Sequence, residues 1–146
     1  MTSLQNLLFD KLKSLAKLVV NNEIHVPSFS NETRTDLEAQ VNDNIRFELI
    51  INRKGHRNKN IFSLVFLSPR YDNKIMTRLD YSGTSHKGVE TPHVHIYDEK
   101  HDFGKNALPL SALSADDIKT YMDALDWFLN DNNVVHDNVK ISENLT

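Results

Sequence analysis

Between Arg78 and Tyr97 the chain gathers side chains able to move protons, clamp phosphates or ligate metals: Arg78, Asp80, His86, His93, His95 and Tyr97. In an extended strand, side chains alternate faces and each residue rises ~3.3 Å. His93, His95 and Tyr97 therefore share one face, and Val94 and Ile96 the other. The Cβ atoms of the His-x-His pair then stand ~6.6 Å apart. That spacing serves two kinds of chemistry: the imidazoles can flank a phosphate as acid and base, or converge on one metal ion.

In the metal-free case, one histidine takes the proton from a ribose 2′-hydroxyl and the other protonates the leaving 5′-oxygen. Arg78 stabilises the charge developing on the phosphorane. Asp80 holds a histidine in its working tautomer, and Tyr97 donates to a phosphate oxygen. His86 and the basic turn, through Arg53, Lys54, Arg57 and Lys59, add substrate contacts that carry no sequence preference. In the metal case the pair needs a third ligand, with His86, Asp80, Glu99 and His101 as candidates. Gly88, His93-x-His95, Glu99 and Gly104 resemble the first metal motif of the cupins. The spacing after the first glycine is one residue short, however, and the chain turns into a helix where a cupin needs more barrel strands. The metal-free reading therefore leads, with no metal or other cofactor assigned. A structural alternative stands beside it: a polar ladder on the solvated side of a one-sided sheet, with the basic turn an ordinary hairpin tip. His25, His56 and His136 are assigned no role.

Positioning these groups is the work of the surrounding elements. Leu4, Leu7, Leu8, Leu12, Leu15 and Leu18 recur at helical spacing, with Ser3 as cap and Asn21-Asn22 as stop. They predict an amphipathic helix whose solvated face carries Lys11, Lys13 and Lys17. Residues 23–26 and 34–41 read as strands, and Asp43-Asn44 as a turn. Ile45, Phe47, Leu49 and Ile51 alternate with polar neighbours in the clearest strand of the chain. The unbroken apolar run 61–67 predicts a strand buried on both sides. Pro69 ends it, and a turn leads into the strand holding Arg78, where Ile75, Leu79 and Tyr81 alternate with Met76, Arg78 and Asp80. Residues 107–110 form a short extended piece. Ser114 with Asp117 resembles a capping box ahead of the stripe Ile118, Tyr121, Met122, Leu125, Phe128 and Leu129. Residues 134–146 add a weak strand or fray. The expected architecture is one α+β domain over residues 1–146. It comprises a curved antiparallel sheet of about five strands, with an N-terminal and a C-terminal helix packed on one face. Arg78, Asp80, His93 and His95 would sit on the open face.

The block Arg78-Leu79-Asp80, Gly83, His86, Pro92-His93-Val94-His95-Ile96-Tyr97 and Leu108-Pro109-Leu110 resembles an uncharacterised family of small bacterial proteins, a domain of unknown function found in Firmicutes and other bacteria. The resemblance is best over residues 76–110. In that family a longer Pro-Asp-Gly loop usually precedes the histidines, and an aromatic commonly sits near the Pro-Leu piece. Here the loop is shorter and Asn106 stands near that place. The resemblance implies that the block is a unit and supplies no biochemistry.

Composition narrows the partners. A chain of 146 residues, 39% of them hydrophobic, is long enough for one real core. A net charge of −3 argues against nucleic-acid binding through bulk charge and leaves only a local basic patch. With no cysteine, disulfide and thiolate chemistry are excluded. No apolar run approaches the ~20 residues of a membrane span, and the N-terminus does not resemble a signal peptide. The leading expectation is a small cytoplasmic protein acting on or binding RNA, as a toxin-like metal-independent endoribonuclease with a neutralising protein companion. The alternatives are a non-enzymatic, phage- or mobile-element-encoded inhibitor that offers the same face to a target protein, and a divalent-metal His-x-His enzyme. Oligomeric state is not set by the sequence.

Overall fold

The alternation of Phe47, Leu49 and Ile51 builds the longest strand, β4 (Asn42–Asn52), and the other elements assemble around it. The computed structural model describes residues 3–54, 62–72, 74–82, 90–113 and 118–143. In chain order the elements are α1 (Leu4–Ser14), β1 (Lys17–Val19), β2 (Glu23–Val26), β3 (Glu32–Ala39), β4, β5 (Phe62–Ser68), β6 (Lys74–Ser82), β7 (His93–Ile96), β8 (Leu108–Pro109), α2 (Tyr121–Asp131), β9 (Val134–Val135) and β10 (Lys140–Glu143).

Among the described residues the main sheet has eight strands in the order β8-β7-β6-β5-β4-β3-β1-β9, and β10 pairs with β2 separately. The α+β class holds, but the sheet is larger than the five strands expected. The additions are β1, β8 and β9, which span three, two and two residues. Segments that short show no periodicity, because alternation needs several residues to register. Nor is pairing wholly antiparallel: β1 with β9 and β10 with β2 run parallel. The tail, expected as a weak strand or a frayed end, closes both of these pairs through residues 134–143.

Both helices are shorter than their leucine patterns suggest. α1 stops at Ser14, and Leu15 is already extended. Residues 17–19 leave the helical pattern to pair with β3, setting Val19 opposite Leu37. α2 starts at Tyr121, with residues 118–120 outside it. Its capping box is Thr120 with Asp123: the Asp123 amide donates to Thr120 Oγ1 at 3.1 Å, and the Thr120 amide donates to Asp123 Oδ2 at 3.1 Å. The Ser114–Asp117 pair proposed for that task lies outside the described residues.

One face of the sheet carries Leu37, Phe47, Leu49, Ile51, Leu64, Phe66, Leu79 and Val94, all buried. Ala124, Leu125, Phe128 and Leu129 of α2 join them in one core. Thr77 is also on this face and donates to Asn132 Oδ1 at 3.0 Å. Lys17, expected on the solvated side of α1, is instead fully buried. Its ammonium donates to the carbonyls of Lys13 at 3.0 Å, Leu15 at 2.8 Å and Asn132 at 2.7 Å. It lies 4.9 Å from the centre of the Phe47 ring and 5.4 Å from that of Phe66. A single cation thus caps the carboxyl ends of both helices, where backbone carbonyls lack partners and the helix dipoles favour positive charge. No helix among the described residues is long and apolar enough to cross a membrane.

Burial, assisted by the nearby charge of Lys13, pushes Lys17 down to about 7 from 10.5. Between those values the unfolded chain holds a proton that the folded one has released, so this group makes stability rise with pH across the window. Wild-type stability relative to Lys17→Met should climb from pH 7 to 10 by on the order of 1 kcal/mol per pH unit. Urea unfolding at stepped pH measures it, and a flat difference would mean that the buried amine does not titrate there.

Candidate functional site

β6 and β7 pair antiparallel with Arg78 opposite His95, Leu79 opposite Val94, and Asp80 opposite His93. Directly opposed residues share a face. Because Leu79 and Val94 fill the core, the arginine, the aspartate and both histidines are forced together on the other side. Ser63 of β5 stands opposite Asp80 and extends the row.

The cluster closes on one carboxylate. Asp80 Oδ2 lies 3.1 Å from His93 Nε2 and 3.4 Å from His95 Nε2. Asp80 Oδ1 accepts from Arg78 Nε at 2.9 Å and from Ser63 Oγ at 3.1 Å. The imidazoles meet edge to face, with ring centres 5.0 Å apart. The three ligating atoms of Asp80, His93 and His95 all lie within 4.8 Å of one another.

The expected juxtaposition is present, but the expected wet face is not. His93 is 1% exposed and His95 7%. Part of the reason is the chain after β7, which folds back in a 3₁₀ turn, Asp102–Gly104. His95 Nδ1 is 2.8 Å from the Gly104 carbonyl, so that nitrogen carries the proton and donates. Gly104 has φ +86°, and a Cβ there would sit 2.6 Å from the Tyr97 ring. Only glycine allows the turn to approach so closely. The Thr91–Pro92 bond ahead of β7 is cis.

Electrostatics follow from this packing. Burial alone would raise the Asp80 carboxyl, but the hydrogen bond from His95, the charge and hydrogen bond of Arg78, and the Ser63 hydroxyl hold it well below the carboxylate range. Asp80 pushes His95 above its usual value against the opposing effect of burial, with help from the Gly104 carbonyl. Burial raises the Tyr97 hydroxyl, with Arg78 and Asp80 acting in opposite senses upon it. Arg78 Nε is engaged, while its terminal nitrogens make no hydrogen bond among the described residues, and the side chain is 43% exposed.

Two of the remaining proposed residues, Arg53 and Lys54, are engaged elsewhere. The Arg53 guanidinium sits 5.5 Å from the centre of the Tyr121 ring of α2 and donates to the Pro27 carbonyl at 3.1 Å. It is therefore turned towards the helix side of the sheet, away from the histidines. Lys54 is paired with Glu32 at 2.8 Å. His86, Arg57 and Lys59 lie outside the described residues. Of the candidate third ligands, Asp80 is in place. His101 is tied to Asp98 at 2.6 Å, and Glu99 accepts from the Ser3 amide at 3.4 Å. Two contributors were missed. Ser63 is a hydroxyl inside the apolar run 61–67, a signal that was available. The Gly104 carbonyl carried none, since backbone groups have no sequence signature.

The sequence profile of DUF6978, a family of unknown function, matches residues 4–134. The chain belongs to DUF6978. No curated protein and no solved structure gives a significant match. The matched span includes every residue of the Asp80 cluster, so in this DUF6978 member the cluster lies within the family domain.

Substituting Gly104→Ala should cost ~1–3 kcal/mol through backbone strain and free His95 Nδ1 from its carbonyl. Urea unfolding reads the first effect and the imidazole ¹⁵N shifts of His95 the second. Unchanged values for both would show that the turn does not hold the ring.

Proposed function

We propose that Asp80, His93 and His95 form the centre of a divalent-metal enzyme, with Arg78 as the anion clamp at its rim. The observation that carries this reading is the convergence of two imidazole Nε2 atoms and one carboxylate oxygen at 3.1 and 3.4 Å. Ligands at ordinary metal distances in a tetrahedral or octahedral shell lie about 3.0–3.4 Å from one another. The two His–Asp separations meet this range, and the set as a whole lies within 4.8 Å, so an ion would draw the imidazoles closer together. Two histidines and a carboxylate occupy part of such a shell and leave positions for water and substrate. The supporting shell is of the kind metal ligands use: the Gly104 carbonyl sets the His95 tautomer, and Arg78 and Ser63 bind the second oxygen of Asp80. A bound divalent ion would lower the pKa of its water and polarise a phosphoryl oxygen. The terminal nitrogens of Arg78 would then take the charge of a phosphoester, with RNA the polymer to try first.

The metal-free endoribonuclease is the second reading. It is favoured by the Asp80 carboxylate and the Gly104 carbonyl, which push His95 above its usual value, towards the protonated form that a general acid needs. It ranks lower because both nitrogens of His95 are committed, Nδ1 to Gly104 and Nε2 to Asp80. Proton exchange with substrate would first break one of those contacts.

Protein dialysed against zinc, manganese(II) or iron(II) should retain one ion per chain. His93→Ala, His95→Ala and Asp80→Asn should each weaken retention at least ~100-fold, and any RNA cleavage should stop in chelator. Folded wild-type protein that holds none of these ions would overturn the metal reading. Cleavage that survives chelator and is lost in His93→Ala would establish the metal-free one.

A further inference from the structure

Beside the Asp80 cluster lies a cavity of about 560 Å³ lined by Gln5, Tyr71, Lys74, Ile75, Tyr97 and Phe103. Its size falls within the range of small-molecule sites. Tyr97 follows His95 at the next same-face position, a step of ~6.6 Å along the strand direction. The Tyr97 ring packs against Gly104, whose carbonyl meets His95 Nδ1 at 2.8 Å, so Tyr97 stands between the cavity and the cluster.

The cavity has the chemistry of a stacking site. Tyr97 and Phe103 supply aromatic surface, and Tyr71, 1% exposed and packed on Phe9, backs that wall. The Tyr71 hydroxyl is already spent, donating to the Tyr97 carbonyl at 2.7 Å, which fixes that wall in place. Phe103 is 43% exposed and has a left-handed backbone, φ 51° and ψ 46°, which bulky residues rarely adopt. The flanking contacts enforce that conformation. The Phe103 amide donates to the Asp98 carbonyl at 2.8 Å, and Gly104 is seated against Tyr97 and joined to His95. The turn that orients a candidate ligand therefore also holds an apolar ring out at the cavity, a strained arrangement of the kind found at ligand clamps. Lys74, exposed and in no ion pair among the described residues, adds positive charge to the lining.

We infer that this cavity receives the nucleobase of a nucleotide whose phosphate lies at Arg78 and the Asp80 cluster. The inference rests on the reading of that cluster as a phosphate-binding centre and adds the substrate class. A flat π-system suits the aromatic walls. A ribose spans the step between base and phosphate, and the Arg78 guanidinium matches the anionic end.

The test compares adenosine 5′-monophosphate with inorganic phosphate by calorimetry, with the metal content of each sample measured in parallel. The nucleotide should bind at least ~10-fold more tightly than phosphate. Phe103→Ala should remove about 10-fold of nucleotide affinity while leaving phosphate affinity and metal content unchanged, and Phe103→Tyr should retain it. Nucleotide binding no tighter than phosphate, or equal weakening of both ligands in Phe103→Ala, would overturn the inference even in protein that holds its ion. Phe103-dependent nucleotide binding by protein that holds no ion would uphold the cavity and discard the metal.

Discussion

The register of β6 against β7 is the constraint on which the site depends. Side chains in a strand repeat every two residues, so a slip of one position would carry Arg78 and Asp80 into the core and Leu79 out of it. The core resists that slip, because Leu79 and Val94 are fully buried opposite each other. Apolar packing on one side of the sheet thus sets the polar geometry on the other. Asp80 then faces His93 across the strand pair for the same reason that Leu79 faces Val94.

Two buried polar assemblies stand on opposite faces of this sheet, and they differ in kind. Around Lys17, three ammonium protons meet three carbonyls beneath aromatic rings. Every polar group has its partner, and the result joins two helix ends to the sheet. Around Asp80, both imidazoles approach one carboxylate oxygen, at 3.1 and 3.4 Å, while Arg78 and Ser63 meet the other. The first joins elements of the fold, and the second gathers two imidazoles, a carboxylate and a part-exposed guanidinium, the groups on which the proposed function rests.

The site was more legible than its surroundings. Parity along two strands sufficed to put Arg78, Asp80, His93 and His95 on one face, since Val94 and Leu79 could only go inward. Parity does not report what covers that face. A three-residue turn folded over His95, and the covering depends on a backbone carbonyl and a glycine that looks like any loop glycine. Arg53 of the basic turn misled for a related reason. Arg53 was grouped with the site by charge, whereas its guanidinium lies on the Tyr121 ring beside α2. Lys17 misled because helical periodicity places a residue on a face only while the helix continues, and α1 ends at Ser14.

By itself the sequence determined what short-range periodicity can carry: the mixed class, the long strands β4, β5 and β6, the existence of both helices and the face on which the reactive side chains stand. Only the tertiary structure decided which strands are neighbours, because pairing joins residues far apart in the chain. It also decided where the short strands β1, β8 and β9 lie, because two or three residues acquire a strand geometry only from an edge that awaits them. The same holds for the convergence of His93, His95 and Asp80. Their common face is a property of local alternation, whereas their meeting on one oxygen depends on strand register and on the turn at Gly104 that holds the His95 ring.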